Sequence, residues 1–158
     1  MKVAIYTVDS QLMSIQDQED HLRNHAKNAG LEIVMSFSDV RIWNRSVKSL
    51  HGLNAMMKAA AESKFKKLLI ADISFLGLSL QHLLAIIQLL ELLNIKVEFI
   101  NQGLGTYGTK GKAFLHILES LRHFDELQVM DRVHSMTEVT DIDLQEVPAV
   151  FRKNLKPV

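Results

Sequence analysis

KVAIYTVDS, residues 2–10, decides how the chain is read, because an apolar run ends there on a single hydroxyl. Short runs rich in Val, Ile and Tyr are strand-like, so residues 2–6 read as a buried first strand. Ser10 then falls just past the strand's carboxyl end, where open α/β sheets place their ligands.

Outward from that stretch, helix and strand patterns alternate. Residues 14–28 (SIQDQEDHLRNHAKN) are polar, with Ile15, Leu22 and Ala26 spaced along one helical face. Ser14 is the expected cap, with Asp17 at the position where a capping box prefers Glu or Gln, and Ala29-Gly30 is the expected stop. Residues 31–37 (LEIVMSF) are a second strand. Residues 38–49 read as a polar loop carrying Arg41, Arg45 and Lys48 around Trp43 and Asn44.

Helical spacing returns over 50–63 through Leu53, Met56, Met57 and Ala60, despite the cost of Gly52 near its start. After a basic turn at 64–67, residues 68–73 are the third strand and 74–78 its carboxyl-end loop. Ser79 opens an apolar helix over 80–93, and 95–100 form the fourth strand. Residues 101–111 (NQGLGTYGTKG) hold four glycines and read as a loop. A long helix is predicted over 112–132 from Phe114, Ile117, Leu118, Leu121, Phe124 and Val129, and a mixed tail over 133–158.

This βαβαβαβα order predicts a three-layer α/β fold. It has a mostly parallel central sheet of four or five strands, helices on both faces, and a long C-terminal helix. A chain of 158 residues suits one ordinary domain. Its 18 basic and 18 acidic residues balance, which argues against broad electrostatic adhesion to DNA or anionic membrane, though a local basic face is compatible with a neutral total. Zero cysteines exclude a disulfide framework and Cys-based metal sites, and fit a cytoplasmic setting. The longest apolar region, 73–93, is interrupted by Ser74, Gln81, His82, Gln88 and Glu91, so it reads as a core helix and not a membrane span. No signal peptide is expected, because the first apolar run is short and is broken by Asp9.

The chemistry-bearing residues are few. His21 and His25 lie four apart on a polar helix, but no third ligand is near in sequence, so no metal and no cofactor are expected. GxGxxG occurs at Gly103, Gly105 and Gly108, yet it comes after the fourth strand, and the next helix is expected only beyond a further glycine. A binding loop fits better than a dinucleotide cradle. Ser10 has no His or Lys beside it, and Asp9 points to the opposite side of an extended segment. A serine in this place is most often a cap or turn former.

Taken together, the pieces resemble the catalytic domain of the serine recombinase family, the resolvases and DNA invertases. KVAIYTVDS resembles the first strand leading to the family's nucleophilic serine, with Ser10 on that position and Gln18 on that of a recurrent glutamine. LLIADISFLGLSLQHLLAIIQLLELLNIKVEFINQGLGT resembles the third strand, catalytic loop, helix and fourth strand. TYGTKGKAFLHILESLRHFDELQVMDR resembles the family's threonine, glycine and long helix, with Thr106, Gly111, Phe124 and Arg132 on recurring positions. The resemblance covers about residues 1–132. It implies a serine that attacks a DNA phosphodiester and stays bound to the 5′ phosphate, with arginines offsetting the repulsion between alkoxide and phosphoryl anion.

Most of those arginines are absent. The family's positions fall on Val8, about Leu50, and Ser74, Phe75 and Leu78, the last three in place of an Asp-Arg-x-x-Arg cluster. Arg41, Arg45, Lys48 and Arg132 remain as candidate phosphate-binding cations. Residues 133–158 show no recognisable helix-turn-helix.

The leading expectation is a catalytically degenerate recombinase-like protein that works by association with itself or a related recombinase, with DNA binding weak alone. Phe124, Leu127 and Met130 are its interface candidates. An active recombinase with relocated cations and a nucleotide- or small-molecule-binding α/β protein are the alternatives.

Overall fold

The first strand, β1 (Lys2–Asp9), has six consecutive buried residues between exposed ends. That pattern is the mark of a strand covered on both faces. The computed structural model describes residues 1–40 and 50–138, with side chains as far as Met130. In it β1 pairs in parallel with β2 (Glu32–Val40) on one side and with β3 (Lys67–Ile70) on the other. β3 pairs in parallel with β4 (Lys96–Phe99), and a two-residue strand, β5 (Leu104–Gly105), returns antiparallel along β4. The sheet order is β2-β1-β3-β4-β5.

Helices α1 (Ile15–Asn28), α2 (His51–Ala61) and α3 (Leu80–Leu92) are the crossovers. With right-handed connections, α1 covers one face of the sheet and α2 and α3 the other. A final helix, α4 (Gly108–Glu138), has 31 residues and is about 46 Å long. The chain divides into two compact units, Met1–His116 and Ile117–Val158. The first contains the whole sheet. Among the described residues no helix is long and apolar enough to cross a membrane.

Several boundaries differ from the sequence expectation. Both β1 and β2 run three residues further, because the ladder continues through Thr7↔Ser38, Val8↔Asp39 and Asp9↔Val40. The glycine-rich stretch is more ordered than a plain loop. Thr106 is buried, its amide donates to the Val97 carbonyl (2.9 Å), and its Oγ1 accepts from the Val97 amide (3.1 Å). α4 therefore starts at Gly108, inside the expected loop, and Gly111 lies within its first turns. A Cβ on Gly111 would stand 2.6 Å from the Gly105 carbonyl oxygen, so only glycine allows that approach.

The stretch 41–49, with Arg41, Arg45 and Lys48, lies outside the described residues, but the two elements that flank it are locked together. Asp39 is buried at the end of β2. Its carboxylate accepts from the Gly52 and Leu53 amides (2.7 Å each) and from the Tyr6 hydroxyl (2.8 Å). Leu50 offers no side-chain cap to α2, so Asp39 caps that helix from a distance. Gly52 is thereby explained: a Cβ there would lie 2.2 Å from the Ser38 carbonyl oxygen.

Replacing Asp39 by Ala takes the shared acceptor away from two amides and a buried phenol. Urea unfolding should show a loss of about 3 kcal/mol, against about 1 kcal/mol for Tyr6→Phe.

Candidate functional site

The peptide groups of Val8 set the geometry around Ser10. The β1–β3 ladder ends at Tyr6↔Ile70, so Val8 has no strand partner on that side. Gln18, fully buried on α1, takes the place of one. Its Nε2 donates to the Val8 carbonyl (2.6 Å) and its Oε1 accepts from the Val8 amide (3.1 Å). The same Nε2 donates to the Met13 carbonyl (2.8 Å), which closes the turn between β1 and α1. The buried face of α1 is thus Gln18, Leu22 and Ala26, and of the expected Ile15, Leu22 and Ala26 only Ile15 is half-buried.

Ser10 sits inside that turn. Its Oγ accepts from the Leu12 and Met13 amides (3.2 Å each) and donates to the Met13 carbonyl (3.3 Å). The hydroxyl organises backbone, as turn-forming serines do. Asp9 is exposed at the strand end. Ser14 caps α1 as expected, accepting from the Asp17 amide (3.1 Å).

The carboxyl end of β3 lies alongside. Asp72 Oδ1 accepts from the Ser74 amide (2.9 Å) and hydroxyl (2.7 Å), and Oδ2 from Gln102 Nε2 (2.8 Å) and Asn101 Nδ2 (3.3 Å). Gln102 also accepts from the Ile73 amide (3.1 Å), so the ends of β3 and β4 are tied together. Partial burial works to raise the Asp72 pKa, but these donors outweigh it and hold the carboxyl below its ordinary value. The centre of this edge is a stable negative charge.

The positions that the resemblance assigns to catalytic arginines, Val8, about Leu50, Phe75 and Leu78, and to the aspartate beside them, Ser74, are apolar or otherwise engaged. Val8, Leu50 and Phe75 are buried, Ser74 is bound to Asp72, and Leu78 is partly exposed. The described turns at this edge, 10–14, 71–79 and 100–103, contain no Lys or Arg. The side chain of Arg132 lies outside the described residues, like Arg41, Arg45 and Lys48. Leu78 instead anchors its loop, its amide donating to His82 Nδ1 (3.0 Å). Burial pushes the His82 pKa down, which keeps the ring neutral and able to accept.

Among the described residues no group of three or more His, Asp or Glu is arranged to hold a metal ion. His25 faces Glu98 (3.4 Å), while His21 Nε2 is buried without a hydrogen-bond partner. On α4, Phe124, Leu127 and Met130 are 57%, 48% and 46% exposed, large apolar groups left open to solvent.

The structural roles of Gln18, Asp39 and Asp72 are not evident in the sequence. Gln18 had a signal, since it stands at i, i+4, i+8 with Leu22 and Ala26. Asp39 and Asp72 had none, because their partners are 13 to 33 and 29 to 30 residues away apart from Ser74.

The family described as Resolvase, N terminal domain, matches residues 6–140. No curated protein sequence matches. Among solved structures, the chain is similar to the N-terminal catalytic domain of TP901-1 integrase, with a TM-score of 0.74 and 22% identity over 81% of this chain and 98% of that one. It is similar to a resolvase family site-specific recombinase from Streptococcus pneumoniae, with a TM-score of 0.70 and 19% identity over 87% and 95%. The C-terminal catalytic domain of ISC1926 TnpA, an IS607-like serine recombinase, gives 0.55 and 20% over 77% and 78%. Likeness at such identities is a likeness of fold, here the α/β sheet with its long C-terminal helix.

The turn geometry has two measurable consequences. Gln18→Ala strips the buried Val8 peptide of both partners and should cost about 2 to 3 kcal/mol in urea unfolding, whereas Gln18→Glu restores only the acceptor. The His82 contact makes the loop sensitive to acid. With the folded pKa below the ordinary value of about 6.5, its contribution is complete above that value and is lost as pH falls through the folded pKa. The hydrogen-exchange protection of the Leu78 amide should therefore fall with acidification, and His82→Gln should flatten that dependence.

Proposed function

Because the chain belongs to the resolvase N-terminal-domain family, we propose that it is a catalytically degenerate member acting by association in a DNA recombination or regulatory context. One observation carries the reading: Ser10 Oγ is engaged in its own turn, beside an edge whose described turns hold Asp72 and no Lys or Arg. Phosphoryl transfer to a serine needs the opposite arrangement. A free hydroxyl must approach an anion whose charge is offset by preorganised cations. A carboxylate held ionised by four donors repels the phosphate, and buried Phe75 cannot substitute for a guanidinium. Loss of one such contact costs several hundredfold in rate, about 3 to 4 kcal/mol, and several are missing together.

In this reading, 1–132 is the catalytic-type domain, α4 continues past it to Glu138, and no helix-turn-helix is recognisable in the sequence of 133–158. Association runs through α4, where Phe124, Leu127 and Met130 present more apolar surface than a solvated helix carries. The partner is a second copy or a related recombinase, in the cytoplasm.

The test of chemistry is a nicked crossover substrate incubated with wild type and Ser10→Ala, then examined by denaturing gel for a protein-linked strand. No adduct is expected from either protein, alone or mixed with a related active recombinase whose own adduct is resolved by size. A Ser10-dependent adduct would mean that Arg41, Arg45, Lys48, Arg132 or a partner restores the chemistry, and would overturn the reading. The test of association is sedimentation. Phe124→Glu should weaken self-association at least tenfold, about 1.4 kcal/mol or more, with the unit Met1–His116 still folded.

A further inference from the structure

Among its described residues, the first unit, Met1–His116, is polarised along its strands. The carboxyl edge carries exposed Asp9 and the Asp72 cluster, whereas the amino edge carries lysines. Backbone bonds place three of these in a row across adjacent strands: the Lys66 amide donates to the Lys2 carbonyl (3.0 Å) and the Lys96 amide to the Lys66 carbonyl (3.1 Å). Neighbouring strands are about 4.8 Å apart, so the row is tight. Lys110, in the first turn of α4, follows three residues after Tyr107, whose ring lies 5.5 Å from Lys96 Nζ.

These lysines differ from their neighbours in their lack of a counter-ion among the described residues. Lys67 is engaged with Glu98, which also accepts from the Tyr107 hydroxyl (3.2 Å) and faces His25. Burial opposes charge on both partners, yet their mutual contact wins, with the Lys67 pKa above and the Glu98 pKa below the ordinary value. Lys64 is paired with Glu62. Lys2, Lys66, Lys96 and Lys110 are exposed, and no ion pair involves them among the described residues. Glu32, next to Lys2 in register, and Glu91 are the acids left to balance them.

Like charges side by side on adjacent strands work against folding. Lys110 also stands in the first turn of a helix that has no acidic residue there, the end that favours anions. The arrangement costs stability in the free protein, and a polyanion laid along the edge would relieve it.

We propose that this amino edge is a docking face for the phosphate backbone of nucleic acid, on the side of the sheet opposite Ser10. The proposal rests on the DNA context of the reading above but not on its account of catalysis. The contact is sequence-independent, since lysines reach phosphates and carry no base readout. Four cations give weak binding that falls steeply with salt, a slope of log K against log salt of about −3 to −4.

The experiment is fluorescence anisotropy of a labelled duplex of arbitrary sequence with the full chain, between about 50 and 200 mM salt. Wild type and Ser10→Ala should bind alike. A triple variant, Lys2→Gln with Lys66→Gln and Lys96→Gln, should bind at least tenfold more weakly at the low-salt end, and Lys66→Gln alone should lower the slope by about one. Circular dichroism checks that the variants are folded. Unchanged binding by the triple variant, or no binding by wild type at low salt, overturns the proposal. Capture of polyglutamate without DNA binding would assign the edge to an acidic protein instead and also overturn it. None of these results bears on the strand-cleavage assay, so the two readings fail separately.

Discussion

Beyond Tyr6 the first strand loses its neighbour on the β3 side, and the buried peptide of Val8 must still find partners. That requirement organises the carboxyl edge. Buried N–H and C=O groups are nearly always paired, and here a glutamine side chain supplies both contacts that a further strand residue would have made. Reaching Val8 from α1 brings Gln18 within range of the Met13 carbonyl, which closes the turn. Within that turn the Ser10 hydroxyl serves the Leu12 and Met13 amides. Ser10 is thus placed by a backbone need, and the need is the same whether or not the serine reacts.

The second constraint is electrostatic. An edge that handles phosphate must hold cations still against their own repulsion, with hydrogen-bond acceptors and packing to position them. This chain uses the same ground differently. Asp72 collects donors from Ser74, Asn101 and Gln102, and Phe75 and Leu76 turn into the core. The loop is well anchored, at Leu78 by His82, but anchored around a negative charge. The contacts of Asp72 and His82 therefore stabilise the loop without any Lys or Arg. At the other end of the strands, Lys2, Lys66 and Lys96 have no ion pair among the described residues.

The alternation of elements was legible because burial writes its period directly into the chain. The run 2–6 had to be a strand, and Leu83, Leu84, Ile87 and Leu90 had to face a core. What escaped was every feature that depends on a partner distant in sequence. Strand ends at Thr7–Asp9 and Ser38–Val40 mix polar and apolar residues, so the apolar run stops before the ladder does. Gly52 looked like a defect in a helix until Ser38 proved to lie against it, and Gly111 looked like loop flexibility until Gly105 and Thr106 occupied the space its side chain would need.

By itself the sequence determined the α/β class, the order of the pieces, the capped start of α1 and the absence of Lys and Arg from the turns 10–14, 71–79 and 100–103. These are local or additive properties, set by side-chain volume, hydropathy and charge. Tertiary structure alone decided that Ser10 is tied into its turn, that Asp39 caps α2 through Gly52 and Leu53, and that lysines scattered from position 2 to position 96 meet along one edge. The reason is that a parallel sheet brings together residues tens of positions apart, and hydrogen bonds and charges act on distance in space, which no spacing along the chain records.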